Sequence, residues 1–130
     1  MKTYIGKELY PHLFSPIRIG NIRLKNRIIA APTSPGNVTN EGHLTPIMTA
    51  YLEEKALGGV SVVTYGEAIV HSSTGKSHNK QLQLDSFGVK QSLVETTRAI
   101  HNAGAYANIE LSHGGKYGGL VSLGGDQVFC

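Results

Sequence analysis

The stretch Arg27-Ile-Ile-Ala-Ala-Pro-Thr-Ser34 decides the fold, because it is an apolar run that breaks off into polar residues. Two later stretches have the same form, namely Val62-Val-Thr-Tyr-Gly-Glu67 and Ala107-Asn-Ile-Glu-Leu-Ser-His-Gly-Gly-Lys116. Helix-like sequence lies between them. Repeated strands with polar residues at their carboxyl ends are typical of a (β/α) barrel, which builds its site at that edge. The sequence therefore predicts an α/β fold.

The segment before the first run predicts a β-hairpin. In Ile17-Arg-Ile-Gly-Asn-Ile-Arg-Leu24, apolar and charged residues alternate on both sides of Gly20-Asn21. A Gly-Asn pair can adopt the positive φ angles of a tight primed turn. The apolar face of this hairpin would cover the bottom of a barrel. The run that follows, residues 28–31, is continuously apolar, as expected of a strand covered on both faces.

Two amphipathic patterns predict the helices. Thr45-Pro46 combines an N-cap residue with proline at the first helical position, and Gly58-Gly59 ends that helix. Asp85-Ser86 predicts the start of the second helix, and Gly104 its end. The predicted apolar stripes consist of Ile47, Met48, Tyr51, Leu52 and Ala56 in the first helix and of Val89, Leu93, Thr97 and Ile100 in the second.

The predicted order is hairpin, β, α, β, α, β, with the later strands over residues 60–65 and 106–111. Right-handed crossovers make such strands parallel neighbours. This order fits an open doubly wound sheet as well as a barrel, and the hairpin favours the barrel. A (β/α)₈ TIM barrel needs roughly 200 to 250 residues, and this chain has 130. We therefore expect residues 1–130 to form a partial barrel with about three parallel strands and two helices.

Composition excludes several classes of protein. The chain is 40% hydrophobic and 16% charged, and its formal net charge of +3 comes from scattered Lys and Arg residues. This argues against a nucleic-acid-binding surface. No run approaches membrane-spanning length, and the N-terminus has no signal core. The single cysteine, Cys130, fits a reducing compartment. We expect a cytoplasmic protein that binds neither nucleic acid nor membrane.

The stretch Leu13-Phe-Ser-Pro-Ile-Arg-Ile-Gly-Asn-Ile-Arg-Leu-Lys-Asn-Arg-Ile-Ile-Ala-Ala-Pro32 closely resembles the N-terminus of the Old Yellow Enzyme family. The resemblance covers nearly the whole chain from Leu13, and it is nearest to the branch with 2,4-dienoyl-CoA reductase and the bile-acid-inducible reductases. It implies a (β/α)₈ barrel with FMN at its carboxyl face. It also implies ping-pong chemistry, in which NAD(P)H reduces the flavin and the flavin reduces an activated C=C bond of an enone or enoyl substrate.

The resemblance implies five cofactor-binding residues. Pro32, Thr33 and Ser34 match the segment along the flavin ring, where the Ser34 hydroxyl would lie near flavin O4. Glu67 matches the residue after the second strand whose backbone faces the flavin pyrimidine. Glu110 matches a position that is usually Gln. Because an ionised Glu accepts hydrogen bonds but does not donate them, we expect either a protonated Glu110 or a flavin that is harder to reduce.

Each of these residues also has an ordinary interpretation. Thr33 and Ser34 would serve equally as loop or capping residues, and Glu67 as a solvated strand end. A carboxylate inside an apolar run should not be buried without a partner, but Glu110 also fits an exposed strand face. The spacings of His71, His78 and His101 match no zinc pattern, so no metal site is predicted.

The resemblance places most of the catalytic machinery beyond this sequence. The phosphate-binding loops, the side chains that hold the substrate oxygen and the tyrosine proton donor have no counterpart here, so no catalytic residue is predicted. An iron–sulfur cluster and FAD would belong only to a longer chain. The alternative is a non-catalytic βαβ module that is completed by another chain or partner. A flavodoxin-like nucleotide binder is a third hypothesis. A partial barrel has an open sheet edge, so self-association is also expected.

Overall fold

A computed structural model describes residues 5–118 of the chain. The helices are α1 (Ile5–Leu9), α2 (Pro46–Leu57), α3 (Ser72–Gly75) and α4 (Val89–Asn102), followed by a 3₁₀ turn at Gly115–Tyr117. The strands are β1 (Ile17–Ile19), β2 (Ile22–Leu24), β3 (Ile29–Thr33), β4 (Val62–Ile69), β5 (Leu82–Gln83) and β6 (Tyr106–Ser112). None of the described helices is long and apolar enough to cross a membrane. The part of the glycine-rich stretch from residue 119 onward lies outside the described residues, as does Cys130.

The main sheet is parallel, and β4 is its middle strand. Val63 of β4 is in register with Ala30 of β3 on one side and with Ala107 of β6 on the other. The short strand β5 pairs with the last two residues of β4. Within residues 5–118, no strand pairs with the outer edge of β6. The predicted α/β fold with three parallel strands is confirmed, and β4 extends further than the predicted 60–65.

Helices α2 and α4 cover one face of this sheet. Their buried residues pack with Val63 and Tyr65 of β4 in a single core. The residues that α2 buries are Met48, Leu52 and Ala56, and those of α4 are Val89, Thr96 and Ile100. The predicted stripe was wrong for Ile47 and Tyr51, which are exposed. Both precede a buried residue by one position, and this rotates them by about 100° around the helix, away from the sheet.

The opposite face of the sheet is open among the described residues. On β6, Tyr106 is 43% exposed, whereas Ala107 and Ile109 pack against the core. On β3, Ile29 is 51% exposed. The prediction that the first strand is covered on both faces is therefore wrong for the described residues, because helices pack against one face only.

The hairpin lies at the amino end of the sheet, as predicted. Its strands β1 and β2 are antiparallel, with Ile17 opposite Leu24. Just after it, buried Asn26 receives a 2.9 Å hydrogen bond from the Ser61 hydroxyl on its carbonyl oxygen and donates one of 2.7 Å from Nδ2 to the Gly59 carbonyl. Residues 59 and 61 immediately precede β4. The site at the carboxyl edge is therefore at the other end of the strands.

The helix starts agree with the sequence in one case and differ in the other. Thr45 Oγ1 accepts a hydrogen bond from Met48 N, so the predicted cap of α2 is confirmed. Helix α4 begins after Gly88 rather than at Asp85-Ser86, so that prediction was wrong. The Asp85 carboxylate accepts hydrogen bonds from the Ser72 backbone and hydroxyl at 2.8 and 3.0 Å instead. Burial raises the pKa of the Asp85 carboxyl group, but the hydrogen bonds from Ser72 lower it, and the pKa stays below its usual range.

Replacing Thr45 by alanine should lower the free energy of unfolding by about 1 kcal/mol. The substitution removes the side-chain oxygen that accepts from Met48 N and leaves a helix-end donor without its partner. Urea denaturation followed by far-UV circular dichroism measures the change. Thr45→Ser keeps the hydroxyl and is the matched control. If Thr45→Ala and Thr45→Ser lose the same free energy of unfolding, the capping role is contradicted.

Candidate functional site

The carboxyl ends of β3, β4 and β6 form the candidate site, and Gly66 lies at its centre. A Cβ atom placed on Gly66 would collide with Glu110 Oε2 and would lie 2.5 Å from Pro32 Cβ. Two of the five predicted residues, Pro32 and Glu110, therefore flank the same backbone position from neighbouring strands. The middle strand has only main-chain atoms at this point.

Glu110 lies on the open face of the sheet and is exposed among the described residues. It follows Tyr106 and Asn108 at alternate positions of β6, and the neighbouring Ile109 packs on the core side. The period of two in a strand assigns all three exposed side chains to one face. Among residues 5–118, Glu110 therefore lies on an exposed strand face, as its ordinary interpretation predicted. Its carboxylate is accessible to a ligand on that face.

Thr33 is directed toward helix α2 instead of toward Gly66. Its hydroxyl oxygen accepts a 2.7 Å hydrogen bond from Lys55 Nζ. Hydrogen bonds with Lys55 and Thr33 also lower the pKa of the Tyr51 hydroxyl. The pairing of β3 with β4 shifts register between Ala30 and Thr33, and this irregularity accompanies the change of direction. Only the backbone of Thr33 remains available at the site.

Ser34 lies beside the buried tyrosine of β4. Its Oγ is 3.5 Å from the Tyr65 hydroxyl, a long contact in which either oxygen could donate. Tyr65 is 4% exposed, and burial raises the pKa of its hydroxyl. Sequence reasoning placed Tyr65 in a strand but did not predict this contact, because an aromatic residue in an apolar run usually signals only packing.

Glu67 is held by polar side chains from two other segments. Its Oε1 accepts hydrogen bonds from His78 Nε2 at 2.9 Å and Gln81 Nε2 at 2.7 Å, and its Oε2 accepts one from Ser112 Oγ at 3.3 Å. The Glu67 side chain is 32% exposed, so it is partly solvated and is also held by three donors. Sequence reasoning missed Gln81, since nothing in the loop pattern distinguishes it from the nearby Gln83.

Two of the six histidines are linked beside the site. His113 follows β6, and its Nδ1 accepts from the Gly115 amide at 3.0 Å, so its Nε2 carries the proton. That nitrogen lies 3.1 Å from Thr74 Oγ1, which is 2.8 Å from His71 Nδ1. Among the side chains of the described part of the chain, no group of three or more His, Cys, Asp or Glu residues is placed to hold a metal ion.

Comparison with known proteins identifies the family. The family model described as "NADH:flavin oxidoreductase / NADH oxidase family" matches residues 12–123. A curated NADH oxidase from Thermoanaerobacter brockii is 30% identical over 107 residues, which are 82% of this chain and 16% of that protein. The chain thus matches only a small part of the length of this relative.

Solved structures agree with this match. A 2-naphthoyl-CoA reductase in complex with 2-naphthoyl-CoA superimposes with a TM-score of 0.79 and 31% identity, covering 84% of this chain and 16% of that one. The Old Yellow Enzyme homologue from Zymomonas mobilis gives a TM-score of 0.72 and 28% identity, covering 79% of this chain and 28% of that one. The chain therefore belongs to the NADH:flavin oxidoreductase / NADH oxidase family, which confirms the resemblance to the Old Yellow Enzymes predicted from its sequence.

Proposed function

We propose that this chain supplies one side of the FMN site of an Old Yellow Enzyme-type oxidoreductase. When bound, FMN would supply the redox chemistry, accepting hydride from NAD(P)H and delivering it to an activated C=C bond of a small enone or enoyl substrate. The observation that carries the proposal is the meeting of Pro32, Gly66 and Glu110 at the carboxyl edge. Family membership supports the same assignment. The dienoyl-CoA reductase branch remains a prediction.

The residues at this edge fit the rim of a flat heterocycle. Gly66 has no side chain, so Pro32 and Glu110 can both approach the backbone of the middle strand. Pro32 offers an apolar surface next to it, and the exposed Glu110 carboxylate offers acceptors for a ring N–H. The backbone of Thr33 and the Ser34 hydroxyl would extend the contact along β3. The backbone of Glu67 would extend it along β4, since the carboxylate of that residue is already engaged.

The remainder of the enzyme would come from outside residues 1–130, which we interpret as a partial FMN-binding barrel domain. The chain spans 16% of the Thermoanaerobacter brockii relative and 28% of the Zymomonas mobilis homologue. Further strands would add at the outer edge of β6, with which no strand pairs within residues 5–118. The phosphate-binding and substrate-binding groups belong to that part, as would any iron–sulfur cluster or FAD. We assign no catalytic residue here and propose a cytoplasmic location.

The second candidate is a non-catalytic βαβ module that another chain completes. Its support is the apolar surface on the open face, where Ile29 is 51% and Tyr106 is 43% exposed. Exposed strand edges and apolar faces favour association with another chain or with a second copy. In this case the chain would form a defined complex without binding flavin.

Flavin titration of the purified chain separates the two candidates. We would add FMN or riboflavin, desalt the sample, record the visible spectrum and determine the oligomeric state by analytical ultracentrifugation. If the chain contacts the ring and not the phosphate, the Kd values for FMN and riboflavin should agree within about threefold, equivalent to less than about 0.7 kcal/mol. A colourless, monodisperse oligomer would reject the flavin site and support the module.

A further inference from the structure

Gln81 is a fully buried side chain whose hydrogen-bonding capacity is completely used. Its Oε1 accepts from the backbone N–H groups of Ser77 and His78 at 3.0 and 3.2 Å. Its Nε2 donates to Glu67 Oε1 at 2.7 Å and to Ser77 Oγ at 3.0 Å. A side-chain amide has two donor hydrogens and two acceptor lone pairs, and all four are satisfied. This pattern fixes the orientation of the amide, because rotating it by 180° would oppose like groups at Glu67 and at the backbone amides of Ser77 and His78.

Through this amide, the loop between β4 and β5 is tied to the end of the middle strand. Gln81 donates to the Glu67 carboxylate, and His78 from the same loop donates to the same oxygen. Ser112 of β6 donates to the other carboxylate oxygen. Glu67 is therefore held from the loop and from the neighbouring strand, and Gln81 is the only buried member of the set.

Glu67 directly follows the backbone position at the centre of the candidate site. The preceding residue, Gly66, lies in a space so narrow that a Cβ atom would collide with atoms of Pro32 and Glu110. A small movement of the strand end would therefore change how the backbone of residues 66 and 67 meets a ligand. We propose that Gln81 is a positioning residue that, through the Glu67 carboxylate, fixes this backbone for contact with the flavin ring. The inference rests on the proposed function.

The test exchanges the glutamate at position 67 and the glutamine at position 81. Gln81→Glu places a second carboxylate at the 2.7 Å contact with Glu67, and two like charges at this distance repel. The double variant Glu67→Gln/Gln81→Glu restores one donor and one acceptor, and the backbone amides of Ser77 and His78 still find an acceptor at position 81. We expect the single variant to raise the riboflavin Kd by at least about tenfold. We expect the double variant to return it to within about threefold of the wild-type value, with the wild-type visible spectrum.

A matched control comes from helix α4. Gln91 Nε2 donates to Glu95 Oε1 at 2.7 Å, which is the same chemical pair on the exposed surface of a helix, outside the set of residues that hold Glu67. Gln91→Glu should leave the riboflavin Kd and the flavin spectrum unchanged. A change as large as that of Gln81→Glu would show that the effect is not specific to the site and would overturn the inference.

Each remaining outcome is decisive. A single variant that melts at lower temperature but keeps the wild-type Kd would show a merely structural contact and would overturn the positioning role. If the single variant does not fold, the double variant must fold and bind riboflavin, and its failure to do either would also overturn the inference. A wild-type chain that binds no flavin rejects the proposed function and this inference with it. If the wild-type chain binds flavin and Gln81→Glu has the same riboflavin Kd, this inference alone is rejected.

Discussion

Replacing Gly66 by alanine is expected to lower the free energy of unfolding by about 3 kcal/mol and to abolish flavin binding. The added methyl group would collide with a carboxylate oxygen of Glu110 and would lie 2.5 Å from Pro32 Cβ. The Glu110 side chain can move aside, but Pro32 is part of the adjacent strand, so the backbone must shift. That shift would also displace the main-chain atoms of residues 66 and 67 that a flavin ring would contact. Urea denaturation measures the free energy of unfolding, and retention of flavin after desalting measures flavin binding.

The control for this substitution is another glycine at which alanine is permitted. Gly58 follows helix α2 with φ of −63° and ψ of −7°, which is ordinary right-handed helical backbone. Gly58→Ala should change the free energy of unfolding by less than about 1 kcal/mol and should leave flavin binding intact. A Gly66→Ala variant that is as stable as Gly58→Ala and still retains flavin would refute the close packing of Pro32, Gly66 and Glu110.

The sequence predicts the elements of the fold well where a local pattern has one physical cause. Thr45-Pro46 marks the start of α2 because capping and a preset φ are properties of those two residues alone. Asp85 is a misleading helix-start signal, because an aspartate that could cap a helix can also accept hydrogen bonds from elsewhere. Its oxygen is bonded to Ser72, 13 residues earlier in the chain. Such long-range competition leaves no trace in a local pattern.

The candidate site is predictable to the level of strand ends but not of side-chain partners. Because parallel strands end at one edge, Pro32 and Glu110 could be expected to lie near each other, and they flank Gly66. A solvated strand end was the ordinary alternative for Glu67, and the hydrogen bonds of its carboxylate with Gln81 and Ser112 were not predicted. The contact with Gln81 depends on the conformation of the loop after β4, which no periodicity encodes. The pairing of Thr33 with Lys55 of helix α2 also escaped prediction, because it joins side chains 22 residues apart in the chain.

In the flavin-loaded protein, Glu110→Gln is expected to raise the reduction potential by about 30 mV, equivalent to about 1.4 kcal/mol for a two-electron couple. An ionised Glu110 would accept from a flavin N–H but would repel the negative charge that reduction places on the pyrimidine. Glutamine has the same shape, removes that charge and adds a donor. Solvent on the open face weakens the repulsion, which is why the expected shift is modest. Spectroelectrochemical titration with a reference dye measures the potential directly.

The control removes a charge of the same kind from the other side of the molecule. Glu54 is exposed on helix α2, which packs against the covered face of the sheet, so Glu54→Gln should leave the potential unchanged to within about 5 mV if long-range effects are screened by salt. A potential that stays constant or falls in Glu110→Gln would mean that no ionised carboxylate at position 110 faces the flavin. A rise in Glu110→Gln alone would identify this glutamate as the residue that makes the flavin of this protein harder to reduce.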